Sequence, residues 1–213
     1  MIFRFAKLCD VNQLSRLHHS VRHSYNFGIF SSLDYFFLKT YYKVLVEDVN
    51  SLIICGEHNS HGIIGFCSAS LDVKKYNNNL KKNKLKLAFA AIPSILKNPR
   101  LLINLISRLK SLNSNKVNYI TTEGARLEYW VWSKNFKNEN FSLHMHESML
   151  NVIRDLGKKK VSFEVDLNNK KVYKFHKLNG AIVKNHITLD DKRERVFLEY
   201  DFINRKSKFK YNI

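Results

Sequence analysis

The 213-residue chain is predicted to be α/β, of the α+β type, with a mixed, mostly antiparallel central sheet of about seven strands, flanking helices and one helical insertion. Three observations lead there. Seven short apolar segments of strand character run along the chain, and two of them, SLIICGE (51–57) and GIIGFCSASLD (62–72), are joined by the turn-forming HNSH, which reads as an antiparallel hairpin. The stretch 127–157 reads as strand, polar turn and amphipathic helix, and a further strand follows it, so parallel pairing is expected only around this part. Acidic residues vanish between Asp72 and Glu123, where the apolar spacing turns helical; this marks an insertion at about 73–122 within a single domain spanning 1–213.

The chain opens with a short strand, IFRFA (2–6). Asp10 then reads as the N-cap of a helix carrying Val11, Leu14, Leu17 and Val21 on one side. His18, His19 and His23 lie on or near it, and the His19/His23 spacing would suit a metal. No HExxH surrounds them and no third ligand is apparent, so they read as surface histidines and no metal site is expected. A second helix, about Leu33 to Leu45, is dense in Tyr and Phe and reads as core, or as the wall of a substrate pocket. After the hairpin, residues 85–110 suggest two helices separated at Asn98-Pro99. Next come the strand LEYWVW (127–132), the turn 133–140 and a helix with Met145, Met149, Ile153 and Leu156 on one stripe, ending at Gly157. A strand (159–167), a short helix (about 169–178, stopping near Asn179-Gly180) and two strands, 181–189 and 195–202, close the chain.

Charge narrows the partners. Thirty-six Lys and Arg against 18 Asp and Glu give +18, and eleven of the basic residues fall in the acid-free gap, so the rest of the chain carries only +7. Such a field attracts phosphate in a nucleotide, a nucleic acid or an anionic lipid surface, although a solvated basic face has the same composition. Nucleic acid is disfavoured, because the basic stretch interleaves few aromatics beyond Tyr76, Phe89 and Tyr119 and holds no reading motif. The longest apolar run there, Leu87 to Leu96, is too short to span a bilayer, which takes about 20 residues. Residues 74–116 therefore either make a peripheral membrane contact or pack on the sheet over a pocket. The first residues lack the apolar core of about 7–15 residues that a secretory signal needs, so a cytoplasmic protein is expected, with a peripheral place on the inner membrane face as the alternative. Cys9, Cys55 and Cys67 are odd in number without CxxC spacing and read as buried reduced thiols.

The strand, turn and helix of 127–157 would form an anion site, because the first N–H groups of a helix have no internal partner. Counting back without gaps from Asp155-Leu156-Gly157, the turn contains Lys137-Asn138-Glu139-Asn140-Phe141-Ser142; forward lie EVDLNN (164–169) and KKVYKFHKLNGAIV (170–183), and upstream lies GIIGF (62–66). In order and register these segments resemble the GNAT superfamily of N-acetyltransferases, which transfer an acetyl group from acetyl-CoA to an amine. The first segment falls on the family's pyrophosphate motif, Arg/Gln-x-x-Gly-x-Gly/Ala. The resemblance covers the chain except the insertion. It implies that Lys137, Asn138, Asn140, Phe141 and Ser142, with Trp130, Val131 and Trp132 of the strand, bind acetyl-CoA. Asn169 would hydrogen-bond CoA or hold the strands apart, and as a turn residue before a helix it could equally be an N-cap. Asn140 and Ser142 replace the two glycine-class residues: Asn tolerates a left-handed backbone and Ser is nearly as small as Ala. Glu139 adds a negative charge near the phosphates. His176 falls where the family places a Tyr that protonates the CoA thiolate, and its unperturbed pKa of about 6.5 suits a proton donor. Glu128, expected on one face with Trp130 and Trp132, is the candidate base, and Glu123 the reserve. The implied acceptor is a primary amine of a small molecule, with or without phosphate; a nucleotide-linked amino sugar of bacterial surface polysaccharide synthesis is one candidate. The alternative is a catalytically impaired GNAT-fold protein that docks on an anionic membrane or a partner. A homodimer is left open.

Overall fold

The computed structural model describes residues 1–22, 32–103, 106, 123–136, 138–188 and 194–209. In chain order the elements are β1 (Ile2–Phe5), α1 (Val11–Val21), α2 (Tyr35–Val46), β2 (Ser51–His58), β3 (Gly62–Ser70), α3 (Val73–Lys82), α4 (Lys84–Lys97), β4 (Ala125–Trp132), α5 (Glu139–Asp155), β5 (Lys160–Asp166), α6 (Lys170–Leu178), β6 (Ile182–Thr188) and β7 (Glu194–Asp201). The strands form one sheet in the order β1-β2-β3-β4-β5-β7-β6. Among the described residues every pairing is antiparallel except β4–β5, whose strands are joined by the crossover that contains α5.

Each face of the sheet carries its own core. On one face α1 and α2 bury Leu14, Leu38, Tyr41 and Tyr42 against Phe66 and Val131. On the other, α5 buries Met145, Met149, Leu150 and Ile153 against Ile54, Cys67, Val161 and Leu198, which is the stripe expected from the helical spacing. Leu156, at the end of that stripe, falls past the helix and is exposed. Gly157 and Gly180, at φ +80° and +87°, take the left-handed conformation that ends α5 and α6.

Three local expectations are corrected. Asp10 does not cap α1 through its side chain; it is buried, accepts two hydrogen bonds from the Arg4 guanidinium at 2.7 and 3.0 Å and one from the Lys7 N–H at 2.7 Å. The Arg4 bond holds the Asp10 pKa below its ordinary value. His18 is not a surface histidine: it is buried with Nδ1 2.6 Å from the Tyr42 hydroxyl, and burial lowers its pKa to about 4. His23 lies outside the described residues. Cys55 and Cys67 are buried free thiols, but Cys9 is exposed.

The insertion is tied to the α1/α2 face. Asp72 caps α3, accepting from the Lys75 N–H, and α3 buries Val73 and Tyr76, whose hydroxyl lies 2.6 Å from that of Tyr41. The helix α4 ends at Lys97, at the expected Asn98-Pro99 break, and packs toward α2 through Ala91 and Ser94. The Ser94 hydroxyl accepts the Asp34 N–H at 2.9 Å, just ahead of α2. Most of the second expected helix of this segment lies outside the described residues. Among the described residues no helix is long and apolar enough to cross a membrane.

Candidate functional site

The parallel strands β4 and β5 pair only at Ala125/Val161 and Arg126/Ser162, and then part as β4 continues to Trp132 and β5 to Asp166. The opening lies at their carboxyl ends, where open α/β sheets bind ligands. Past Trp132, the Ser133 N–H donates to the Ile64 carbonyl and the Trp132 indole to the Phe136 carbonyl, both at 2.8 Å, which turns the chain into α5. Asn138, the N-cap of α5, makes no side-chain cap hydrogen bond.

The residues expected to form a glycine-like loop stand elsewhere. Asn140, Phe141 and Ser142 belong to the first turn of α5, so neither Asn140 nor Ser142 adopts the left-handed backbone that the loop was expected to need. Asn138 and Asn140 are exposed, Phe141 is 38% exposed, and Ser142 is buried with its hydroxyl accepting the Trp130 indole N–H at 3.0 Å. Lys137 lies outside the described residues. Asn169 is the N-cap of α6, its side-chain oxygen accepting the Val172 N–H at 3.3 Å.

A β-bulge relocates Glu128. Ser68 faces Tyr129 while the next residue, Ala69, faces Leu127, so Glu128 is the extra residue in β4. The bulge reverses the alternation: Ala125 and Leu127 share the α5 face with Trp130 and Trp132, whereas Tyr129 and Val131 pack on the α1/α2 face. The expected common face for Glu128, Trp130 and Trp132 is therefore not formed. Glu128 instead accepts two hydrogen bonds from Arg126, at 2.8 and 3.0 Å, and one from the Ser70 hydroxyl at 3.1 Å, with only 10% of its side chain exposed. Burial disfavours the Arg126 charge, yet the Glu128 carboxylate holds the arginine pKa above its ordinary value. The guanidinium lies over the Tyr76 ring, 5.8 Å from its centroid. Thus β3, β4 and α3 of the insertion build one polar cluster, of which the sequence pointed only to Glu128. Arg126 had a legible signal, an opposite charge two residues away along a strand. Glu123 is exposed and ion-paired with Lys74, away from this cluster.

On the opposite face Trp130 bridges α5 and α6, with ring centroids 4.7 Å from His146 and 5.2 Å from Phe175. The His176 ring is tilted against that of Phe163 of β5, with centroids 4.4 Å apart, and its Nδ1 is 2.7 Å from the Tyr200 hydroxyl. Asn179 donates to that hydroxyl at 3.3 Å. Burial, then the neighbouring His146 and Arg205, hold the His176 pKa well below 6.5, so the ring is neutral at pH 7. His146 is also neutral, lowered to about 3 by burial, and neither ring nitrogen has a hydrogen-bond partner among the described residues. It stands one turn after Ser142 on the buried side of α5, next to Met145 of the core stripe, and the sequence reading did not single it out.

These residues fit acetyl-CoA unevenly. The uncapped start of α5 suits a pyrophosphate, and the parted strands suit an extended chain. Trp130, packed between α5 and α6, stands beside that path and must share it.

The fold is that of a known class. The structure is similar to that of an N-acetyltransferase from Staphylococcus aureus Mu50, with a TM-score of 0.61 and 16% identity over 94% of this chain and 100% of the other. It is similar to a ribosomal-protein-alanine N-acetyltransferase from Brucella melitensis, with a TM-score of 0.61 and 8% identity over 94% and 99%. An aminoglycoside 6'-acetyltransferase type Ii matches with a TM-score of 0.57 and 10% identity over 97% and 100%. At these identities the likeness is one of fold, and the fold is that of the GNAT acetyltransferases, as the sequence implied. No protein-family model and no curated protein sequence matches the chain.

Proposed function

We propose that this chain is an acetyl-CoA-dependent N-acetyltransferase acting on a primary amine of a small molecule. The observation that carries the reading is the bulge in β4, which sets Glu128 on the α1/α2 face beside the point where β4 and β5 part. Acetyl-CoA supplies the thioester that the amine attacks, forming the C–N bond as the C–S bond breaks. The first-turn N–H groups of α5 bind the pyrophosphate, joined by the basic side chain of Lys137. Backbone groups of β4 beyond Arg126, without a β5 partner, line the thioester and polarise its carbonyl. Glu128 receives the proton of the acceptor ammonium, directly or through water, and Arg126 holds the carboxylate in place. His176 donates to the departing sulfur from Nε2 and is resupplied at Nδ1 by the Tyr200 hydroxyl.

An acceptor bearing phosphate fits the +18 charge, which makes a nucleotide-linked amino sugar the first to test. The second reading, an impaired GNAT-fold binding protein, is favoured by one observation: Trp130 is packed against His146 and Phe175 beside the cofactor path. Acetyl transfer to a panel of amines separates the two. Glu128→Gln should lower kcat by about 10²- to 10⁴-fold, the usual worth of a general base, with acetyl-CoA affinity unchanged. An equally active, folded variant would remove Glu128 from the mechanism.

A further inference from the structure

The helix α4 turns an apolar stripe to solvent. Leu85, Phe89, Ile92 and Leu96, at i, i+4, i+7 and i+11, are 67, 70, 44 and 77% exposed, while Ala91 and Ser94 on the other side are buried. The stripe is about 16 Å long at 1.5 Å per residue. Folded cores do not need such a row outside, and soluble helices seldom leave one uncovered. Beside it stands α2, presenting exposed Phe36 together with Lys39 and Lys43. Between the two helices runs a cleft of about 540 Å³, lined by apolar Val44, Ala90 and Pro93 and by Lys39, Lys43 and Lys86, with Glu47 its one carboxylate among the described residues. Exposed Lys84 and Lys97 stand at the two ends of α4.

We propose that α4 and the adjoining side of α2 form a docking surface for an anionic lipid bilayer. Aliphatic and Phe side chains lie along the middle and lysines around them, which is the distribution of a helix lying in a membrane interface, apolar residues among the acyl chains and ammonium groups at the lipid phosphates. A protein partner fits less well, since interface centres favour Tyr, Trp and Arg and are depleted in Lys. Nucleic acid fits worse, because an aliphatic ridge offers nothing to a phosphate backbone or a stacked base. The structure narrows the stretch 74–116 expected from the sequence. The helix α3 faces solvent with Lys74, Lys75, Asn78 and Lys82 and has no exposed apolar row, whereas α2, outside that stretch, belongs to the surface. The inference is independent of the acetyltransferase reading.

Flotation of the full chain with vesicles tests it. The chain should float with phosphatidylcholine vesicles containing roughly a third phosphatidylglycerol, less so as salt rises, and not with phosphatidylcholine alone. The double variant Phe89→Ser/Leu96→Ser should lower the partition at least tenfold, and Lys39→Gln/Lys43→Gln/Lys86→Gln by about a hundredfold. All five positions are exposed, so the melting temperature should hold, as should any acetyl transfer to a soluble amine. Failure to float with anionic vesicles, equal binding to neutral ones, or unaltered binding by both folded variants overturns the proposal. So does self-association of the parent chain through this face, abolished by the same changes, in place of vesicle binding.

Discussion

At Glu128 one extra residue decides which side of the sheet a carboxylate serves. Strict alternation would group residues 126, 128, 130 and 132, and the structure splits that set into two pairs, Arg126 with Glu128 on one face and Trp130 with Trp132 on the other, because the bulge changes phase at 128. Nothing in ARLEYWVW announces the bulge, since no glycine or proline marks it. Gly65 lies in GIIGF, which was read only as a segment resembling the family's strand; a Cβ there would lie 2.1 Å from Cε3 of Trp132, so the ring requires a bare backbone beneath it. His176 was found by register, but its burial was not, because the hydroxyl that receives it, Tyr200, lies 24 residues further on. If Nε2 donates to the leaving sulfur, His176→Phe should lower kcat by about 10²-fold with little change in CoA affinity. A variant with parental kcat and a lower melting temperature would assign the ring to packing alone.

The helix α5 concentrates what its element contributes. Its core stripe, Met145, Met149 and Ile153, was readable because a 3.6-residue period survives any detail of tertiary packing. Its start was not readable: KNEN looked like a loop, and it becomes helix from Glu139, which moves Asn140 and Ser142 from a bend into a first turn. An anion there has to be held by helix N–H groups rather than by a glycine nest. Asn138→Asp should therefore have two opposed effects. A carboxylate at the N-cap should stabilise the helix by about 0.5–1 kcal/mol, read as a raised melting temperature, and should weaken CoA binding by occupying and repelling the same site. Unchanged CoA affinity in the stabilised variant would place the phosphates elsewhere.

At the scale of the molecule, the seven-stranded mixed sheet with its single parallel pair was legible from segment order alone, while the docking of α3 into the α1/α2 face was not. Tyr76 meets Tyr41 through a contact 35 residues apart, which no local pattern encodes. Burial of three neutral histidines likewise emerges only at this scale. His18 and His146 have folded pKa values of about 4 and about 3, and that of His176 is well below 6.5. The unfolded chain binds these protons near pH 6.5 and the folded chain does not, so stability should be level above that pH and fall as pH drops toward 4. The slope should approach about 1.4 kcal/mol per pH unit for each histidine, several kcal/mol in all by pH 5, as measured by urea unfolding. A profile flat from pH 7 to 5 would contradict their burial as neutral rings. Both tryptophans of the chain, Trp130 and Trp132, stand on β4, so intrinsic emission reports on the crevice directly. The decisive measurement is a titration with acetyl-CoA, followed by that emission and by calorimetry. A saturable change with a Kd between about 1 μM and 1 mM is the result expected of an acetyl-CoA site along β4 and the start of α5; no binding and no change in emission at several times that range, ~5 mM, would contradict it.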